Sequence, residues 1–198
     1  AVGLDQSAMS NNEALNEELS EELTGELTAP FAAAVYARDM QNRDALTQFA
    51  AELRAEGVRV GGLVQEVLRN VDGASTGIDI VEIDTGRRIP INRPTKETLD
   101  SHSCSLNTSA LTESTEALRR AIRENVDLIV LEKFGEQEQK GQGLSDEIFM
   151  AIAEEIPLLI AVPEFALDLW QERSGEMGET LSYDVDAFRR WWAIAKPG

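Results

Sequence analysis

Two arginines, Arg38 and Arg43, are the first side chains in the sequence that could bind an anion. They follow a short apolar run, residues 31–36, and each presents a planar fork of N–H donors that suits an oxyanion. A phosphate-binding P-loop at this position needs glycines, a lysine and a serine or threonine, and residues 37–44 contain none of them. The pattern therefore favours oxyanion binding without efficient hydrolysis of a nucleoside triphosphate. Surface ion pairs with the neighbouring aspartates are the alternative role for both arginines.

A second candidate site follows the segment that most clearly reads as a buried strand, residues 127–132. Glu132 ends this segment, where P-loop proteins place a metal-coordinating acid, and Lys133 is a candidate anion contact. A magnesium ion on Glu132 or Glu138, with Lys133 as the phosphate contact, would make the chain a nucleoside triphosphatase, which is the enzymatic alternative.

The loop after Lys133 carries mixed signals. Glu136 and Glu138 add negative charge, which suits a cation better than a phosphate. Gly141 and Gly143 precede a predicted helix, an arrangement that is found at anion sites but is weak evidence alone. A mobile charged loop without a ligand is the alternative interpretation.

His102 and Cys104 lie close together in the polar segment 92–106. Residues so near in sequence seldom face each other as nucleophile and base, and a metal site would need more soft ligands. Cys104 is therefore predicted to contribute to a ligand pocket and not to catalysis. A single cysteine permits no internal disulfide, which fits a reducing cytosol.

Alternating apolar strands and amphipathic helices must position these loops. The predicted strands are 31–36, 58–67, 127–132 and 157–162, with a hairpin of 78–83 and 88–91; the predicted helices are 44–56, 107–124, 146–155, 164–173 and 185–194. This order predicts a three-layer α/β domain with a mostly parallel sheet. Ligands of such sheets bind beyond the carboxyl ends of the strands.

Composition narrows the class of partner. With 42% hydrophobic and 27% charged residues the chain is globular, and no apolar run is long enough to span a membrane. No signal peptide is visible, so a cytoplasmic location is expected. The net charge of −18 disfavours nucleic acid and anionic membranes as partners, but permits one local site for a small anionic ligand.

Residues 1–30 form an acidic arm, and residues 31–198 form the predicted single α/β domain. The arm contains seven acidic residues and no lysine or arginine. Its leucines recur every four residues, the spacing of a narrow helical stripe, at Leu15, Leu19, Leu23 and Leu27. A solvated, partly helical or disordered arm is one interpretation. The other is docking, on a partner or on the arginines of a second subunit in a homodimer, at Arg119, Arg120 and Arg123.

Several segments together resemble the bacterial family called domain of unknown function 2478, over roughly residues 31–173. They are Ala34-Val35-Tyr36, residues 53–65, Cys104-Ser105-Leu106, and residues 127–135 followed by Glu138, Gly141 and Gly143. The resemblance implies a P-loop-like α/β fold without its phosphate loop, and no established activity. Some members of this family are associated with molybdate-transport genes.

Six positions match the family and are carried over as ligand-binding candidates: Gln65, Cys104, Lys133, Phe134, Gly135 and Glu138. Two positions differ from the family pattern. Family members commonly have Asn and a basic residue where this chain has Glu132 and Glu136. We therefore expect a protein that binds a small oxyanion or nucleotide-like molecule, with a link to molybdate or tungstate handling. Arg38, Gln65, Cys104 and Lys133 would converge on one edge of the sheet, and no particular cofactor is indicated.

Overall fold

One sheet of seven strands forms the middle layer of the computed structural model, which describes residues 30–40, 43–92, 108–132 and 134–197. The strands are β1 (Phe31–Tyr36), β2 (Val60–Arg69), β3 (Ser75–Glu82), β4 (Arg88–Asn92), β5 (Leu128–Leu131), β6 (Leu158–Pro163) and β7 (Glu179–Ser182). Their order is β4-β3-β2-β5-β6-β1-β7. The five strands from β2 to β7 in this order run parallel, and β3 is antiparallel to both of its neighbours.

Helices cover both faces of this sheet. They are α1 (Ala45–Ala55), α2 (Thr108–Arg123), α3 (Glu136–Gln139), α4 (Ser145–Ala153), a 3-10 turn (Glu164–Ala166), α5 (Leu167–Arg173) and α6 (Val185–Ala195). Apolar residues of α2, α4 and α5 pack on one face, and those of α1 and α6 pack on the other. The predicted three-layer α/β fold with a mostly parallel sheet is confirmed.

The central strands are the short, continuous apolar runs of the sequence. Every residue of β5 and β6 is buried, as expected for parallel strands that are covered on both faces. At Gly62 of β2 the backbone has φ +112°, and a Cβ built there would lie 2.0 Å from the backbone oxygen of Val130 in β5. This position therefore requires glycine.

The predicted strands and helices occur within about three residues of their expected ends, and Trp170, Trp191 and Trp192 are buried. Two elements were not predicted, namely β7 and the single turn α3. The acidic arm before residue 30, the segment with His102 and Cys104, and Lys133 lie outside the described residues. Among the described helices, none is both long and apolar enough to cross a membrane.

Candidate functional site

The carboxyl ends of the parallel strands gather the candidate side chains at one edge of the sheet. Arg38 and Arg43 follow β1, Gln65 lies on β2 where its pairing with β5 ends, and Glu132 follows β5. Segments that end β6 and β7 add side chains that the sequence analysis did not select, Phe165 and Tyr183. The edge holds two neighbouring cavities, which share Met40 and Arg43.

The arginine cavity encloses about 530 Å³ and contains both arginines. Its described lining is Tyr36, Arg38, Met40, Arg43, Phe134, Gly135, Gln139, Pro163 and Phe165, and none of these residues is acidic. The guanidinium carbon of Arg43 lies 4.6 Å from the centre of the Tyr36 ring, and that of Arg38 lies 5.7 Å from the centre of the Phe165 ring. Both cations thus rest on aromatic faces, which orient them without neutralising their charge.

The acidic cavity encloses about 830 Å³ on the other side of Arg43. Its charged residues are Arg43, Asp44, Glu66, Arg69 and Glu132, and its apolar wall comes from β2 and β3. Three carboxylates against two guanidinium groups make this cavity a poorer place for an anion than the arginine cavity.

Glu132 is held by protein donors on both carboxylate oxygens. The backbone N–H of Gln65 donates to Oε2 at 2.7 Å, and the Tyr183 hydroxyl donates to Oε1 at 3.3 Å. Burial raises the pKa of Glu132 to about 7, because desolvation outweighs the stabilisation of the carboxylate by the Gln65 N–H and by the charge of Arg43. Glu132 therefore changes its charge near neutral pH.

Tyr183 ties together three segments of the edge. Besides Glu132, its hydroxyl reaches the backbone oxygen of Arg43 at 3.2 Å, and its ring packs edge-on against Tyr36 with the centroids 5.8 Å apart. Burial raises the pKa of Tyr183, so the phenol keeps its proton at neutral pH. The hydroxyl has one hydrogen for two acceptors, and it therefore links the position of the Arg43 backbone to the state of Glu132.

Glu138 closes the loop between α3 and α4. Its fully buried carboxylate accepts hydrogen bonds from the backbone N–H groups of Gly135 at 3.1 Å and Leu144 at 3.2 Å. Gly143 has φ +61°, and a Cβ there would lie 2.6 Å from Glu138 Oε1. The described geometry thus gives Glu138 and Gly143 a role in holding the loop that carries Gly135.

We expect Glu138→Gln to destabilise the fold by about 1–3 kcal/mol, because an amide offers one acceptor oxygen where the carboxylate offers two and leaves one of these N–H groups unpaired. Urea unfolding followed by tryptophan fluorescence measures this loss. Exposed Glu172 on α5 supplies the matched control, Glu172→Gln. Equal unfolding free energies for the two variants would contradict the role of Glu138 in holding this loop.

The structure brings together some of the sequence-predicted site residues and separates others. Arg38, Phe134 and Gly135 line the arginine cavity, whereas Gln65 and Glu132 line the acidic one. Gly141 lies at the exposed end of the loop between α3 and α4. A Cβ built at this position would lie 3.3 Å from the Arg173 guanidinium. Cys104 and Lys133 lie outside the described residues, so their part in the site stays a prediction.

The metal prediction for Glu132 also stays a prediction. Within the described ranges, no group of three His, Cys, Asp or Glu side chains could hold a metal ion. Both oxygens of Glu132 already accept hydrogen bonds from protein donors. Magnesium would have to compete with these donors, with Glu132 as its one identified protein ligand.

The fold is of the P-loop-like α/β class, with its candidate site at the carboxyl ends of the strands. The chain belongs to the family described as "Protein of unknown function (DUF2478)", whose profile matches residues 31–191. The resemblance found in the sequence is thereby confirmed.

One relative is the Molybdenum import ATP-binding protein ModC 2 of Bradyrhizobium diazoefficiens. It is 37% identical over 161 residues, which are 81% of this chain and 18% of that protein. The chain thus spans less than a fifth of the length of this relative. No solved structure matches the chain.

Proposed function

We propose that this protein binds a small oxyanion in the arginine cavity and does not efficiently hydrolyse nucleoside triphosphates. The observation that carries the proposal is the pairing of Arg38 and Arg43 in a cavity whose described lining has no acidic residue. Guanidinium groups bind oxyanions through two parallel N–H bonds, and stacking on Tyr36 and Phe165 limits the orientations that have to be fixed on binding.

A link to molybdate is supported by the relative that is named for molybdenum import. Molybdate and tungstate are tetrahedral oxyanions, and the same two guanidinium groups would contact their oxygens. Sulfate has the same shape and charge, so it serves as the comparison for selectivity. A role in molybdate or tungstate handling is therefore the specific form of the proposal.

Hydrolysis is disfavoured because residues 37–44 supply neither the backbone cradle nor the lysine of a P-loop. The segment instead makes a turn in which the backbone N–H of Met40 donates to the oxygen of Ala37 at 3.1 Å. A magnesium-dependent triphosphatase that uses Glu132 is the second candidate, favoured by the position of Glu132 at the end of β5. Sustained phosphate release that is lost in Glu132→Gln would establish the triphosphatase instead.

Titration calorimetry with molybdate, tungstate, sulfate, ATP and GTP tests the binding proposal. We expect at least one oxyanion to bind, and Arg43→Ala or Arg38→Ala to weaken it about 10-fold to 100-fold, because each removes a charge-assisted hydrogen bond. Arg123→Ala is the matched control, since this exposed arginine on α2 pairs with Glu116 far from the site in sequence and fold. Flat isotherms for all five compounds would reject the proposal.

A further inference from the structure

We propose that the arginine cavity prefers an aryl oxyanion, an anionic group carried on a flat aromatic ring, over a bare oxyanion such as molybdate, with Phe165 as the residue that stacks on the ring. This inference rests on the proposed function, because it names the class of ligand for the same cavity. It adds a specificity residue, Phe165, that neither the arginines nor the comparison with the molybdenum import protein points to.

The arginine cavity is larger than a bare oxyanion needs. A water molecule occupies about 30 Å³ in the liquid, so a five-atom tetrahedral oxyanion fills on the order of 150 Å³. The arginine cavity encloses about 530 Å³, which lies in the usual range of about 300–1,000 Å³ for sites of organic ligands. After the anionic group is placed, the cavity still has room for a body of the size of one or two rings.

The walls of the arginine cavity offer apolar surface to a ligand. Apart from the two arginines and Gln139, the described lining is aromatic or apolar, and it includes the exposed ring of Phe165. A bare inorganic oxyanion gains nothing from these surfaces, whereas a flat ring would remove them from water. The polar groups lie where they would fix the orientation of such a ligand, as in most small-molecule sites.

Phe165 is an exposed aromatic residue at the mouth of the cavity. It is 68% exposed, and it lies in the 3-10 turn that follows β6. Tyr36 and Phe134 each pack edge-on against a ring of the protein, but within the described part of the chain Phe165 contacts no other ring. The face of Phe165 is instead approached by the Arg38 guanidinium at 5.7 Å.

These positions define how the ligand would lie. An anionic group that contacts Arg38 is brought to the side of Phe165, because the guanidinium carbon lies over that ring. A planar ring attached to the anion can then cover Phe165, and the Arg43–Tyr36 pair lies in the same cavity to hold further oxygens. Recognition would thus use side chains at the carboxyl ends of β1 and β6, in place of the phosphate loop of P-loop proteins.

Three phosphate esters of equal charge separate the contribution of the ring from that of the anion. Calorimetry on the full chain would compare phenyl phosphate with methyl phosphate, which lacks the ring, and with cyclohexyl phosphate, which is apolar but not flat. We expect phenyl phosphate to bind about tenfold more tightly than either of the others, the ratio that corresponds to one stacking contact.

Phe165→Ala should remove most of this tenfold preference while leaving methyl phosphate binding within about twofold. Phe165→Leu, which keeps apolar surface without a ring, should remove it as well, whereas Phe165→Tyr should retain it. Ile194→Ala is the control, because Ile194 is also a largely exposed apolar residue (77%) but lies on α6. As Phe165 is exposed, these variants should fold, which thermal unfolding verifies.

The outcomes separate this inference from the function on which it rests. Equal affinity for the three esters, a preference that survives Phe165→Ala, or binding of inorganic oxyanions alone would overturn the aryl ligand and leave the oxyanion site intact. The absence of binding for every oxyanion, esters included, would overturn both.

Discussion

Glu132→Gln is expected to remove a pH dependence of folding stability worth about 3 kcal/mol, the equivalent of the rise of its pKa from 4.5 to about 7. Between these two pH values the native state keeps a proton on Glu132 that the unfolded chain has already released. The stability from this group is therefore full below about pH 4.5, and it is lost as the pH rises through 7. Glutamine carries no such proton, so its contribution is independent of pH.

Urea unfolding at several pH values between 4.5 and 8 measures this effect as the difference between the wild type and Glu132→Gln. The difference cancels the contribution of the other acidic groups, which is large in a chain with a net charge of −18. Glu179→Gln removes an exposed carboxylate on β7 and is the control. Parallel stability curves for the wild type and Glu132→Gln would show that burial does not raise the pKa of Glu132.

The buried part of the fold could be predicted from the sequence because its strands are continuous apolar runs. Residues 31–36 and 158–163 are apolar throughout and lie beside each other in the sheet. Strand β7 was missed for the opposite reason, because Glu179–Ser182 is an exposed edge strand in which Leu181 is the apolar residue. An edge strand needs neither alternation nor a buried run, so periodicity does not detect it.

Part of the candidate site could be located from the sequence, because the strands that position it could be predicted. The rule that ligands bind at the carboxyl ends of parallel strands predicted the edge of the sheet at which the candidates lie, and Arg38, Gln65 and Glu132 all lie there. Tyr183 and Phe165 were not selected, although each lies within two residues of the end of a strand. For Tyr183 the preceding strand was itself missed, and Phe165 was assigned to a helix from its position in residues 164–173.

Which cavity a residue faces could not be inferred from the sequence. Arg38 and Gln65 were expected at one edge of the sheet and lie there, but they line two different cavities, which share Arg43. Glu138 matched a family motif and was carried over as a ligand contact, and its described contacts are with backbone N–H groups. A family motif marks residues whose surroundings constrain their type. A carboxylate that holds a loop through two hydrogen bonds is constrained in this way just as a ligand contact is.

Gly62→Ala is expected to destabilise the protein by about 4 kcal/mol or more. The added Cβ would overlap the backbone oxygen of Val130 at 2.0 Å, and neither strand can move away without breaking the β2–β5 pairing. The φ of +112° adds a conformational cost of its own for any residue with a side chain.

Gly73→Ala separates these two costs, because Gly73 has φ +80° but no atom lies within 4 Å of a Cβ built there. We expect about 1 kcal/mol for Gly73→Ala, which is the conformational cost alone. Urea unfolding followed by the fluorescence of the three tryptophans measures both variants under one set of conditions. If the two alanine variants lost the same stability, the close approach of β2 and β5 at Gly62 would be refuted.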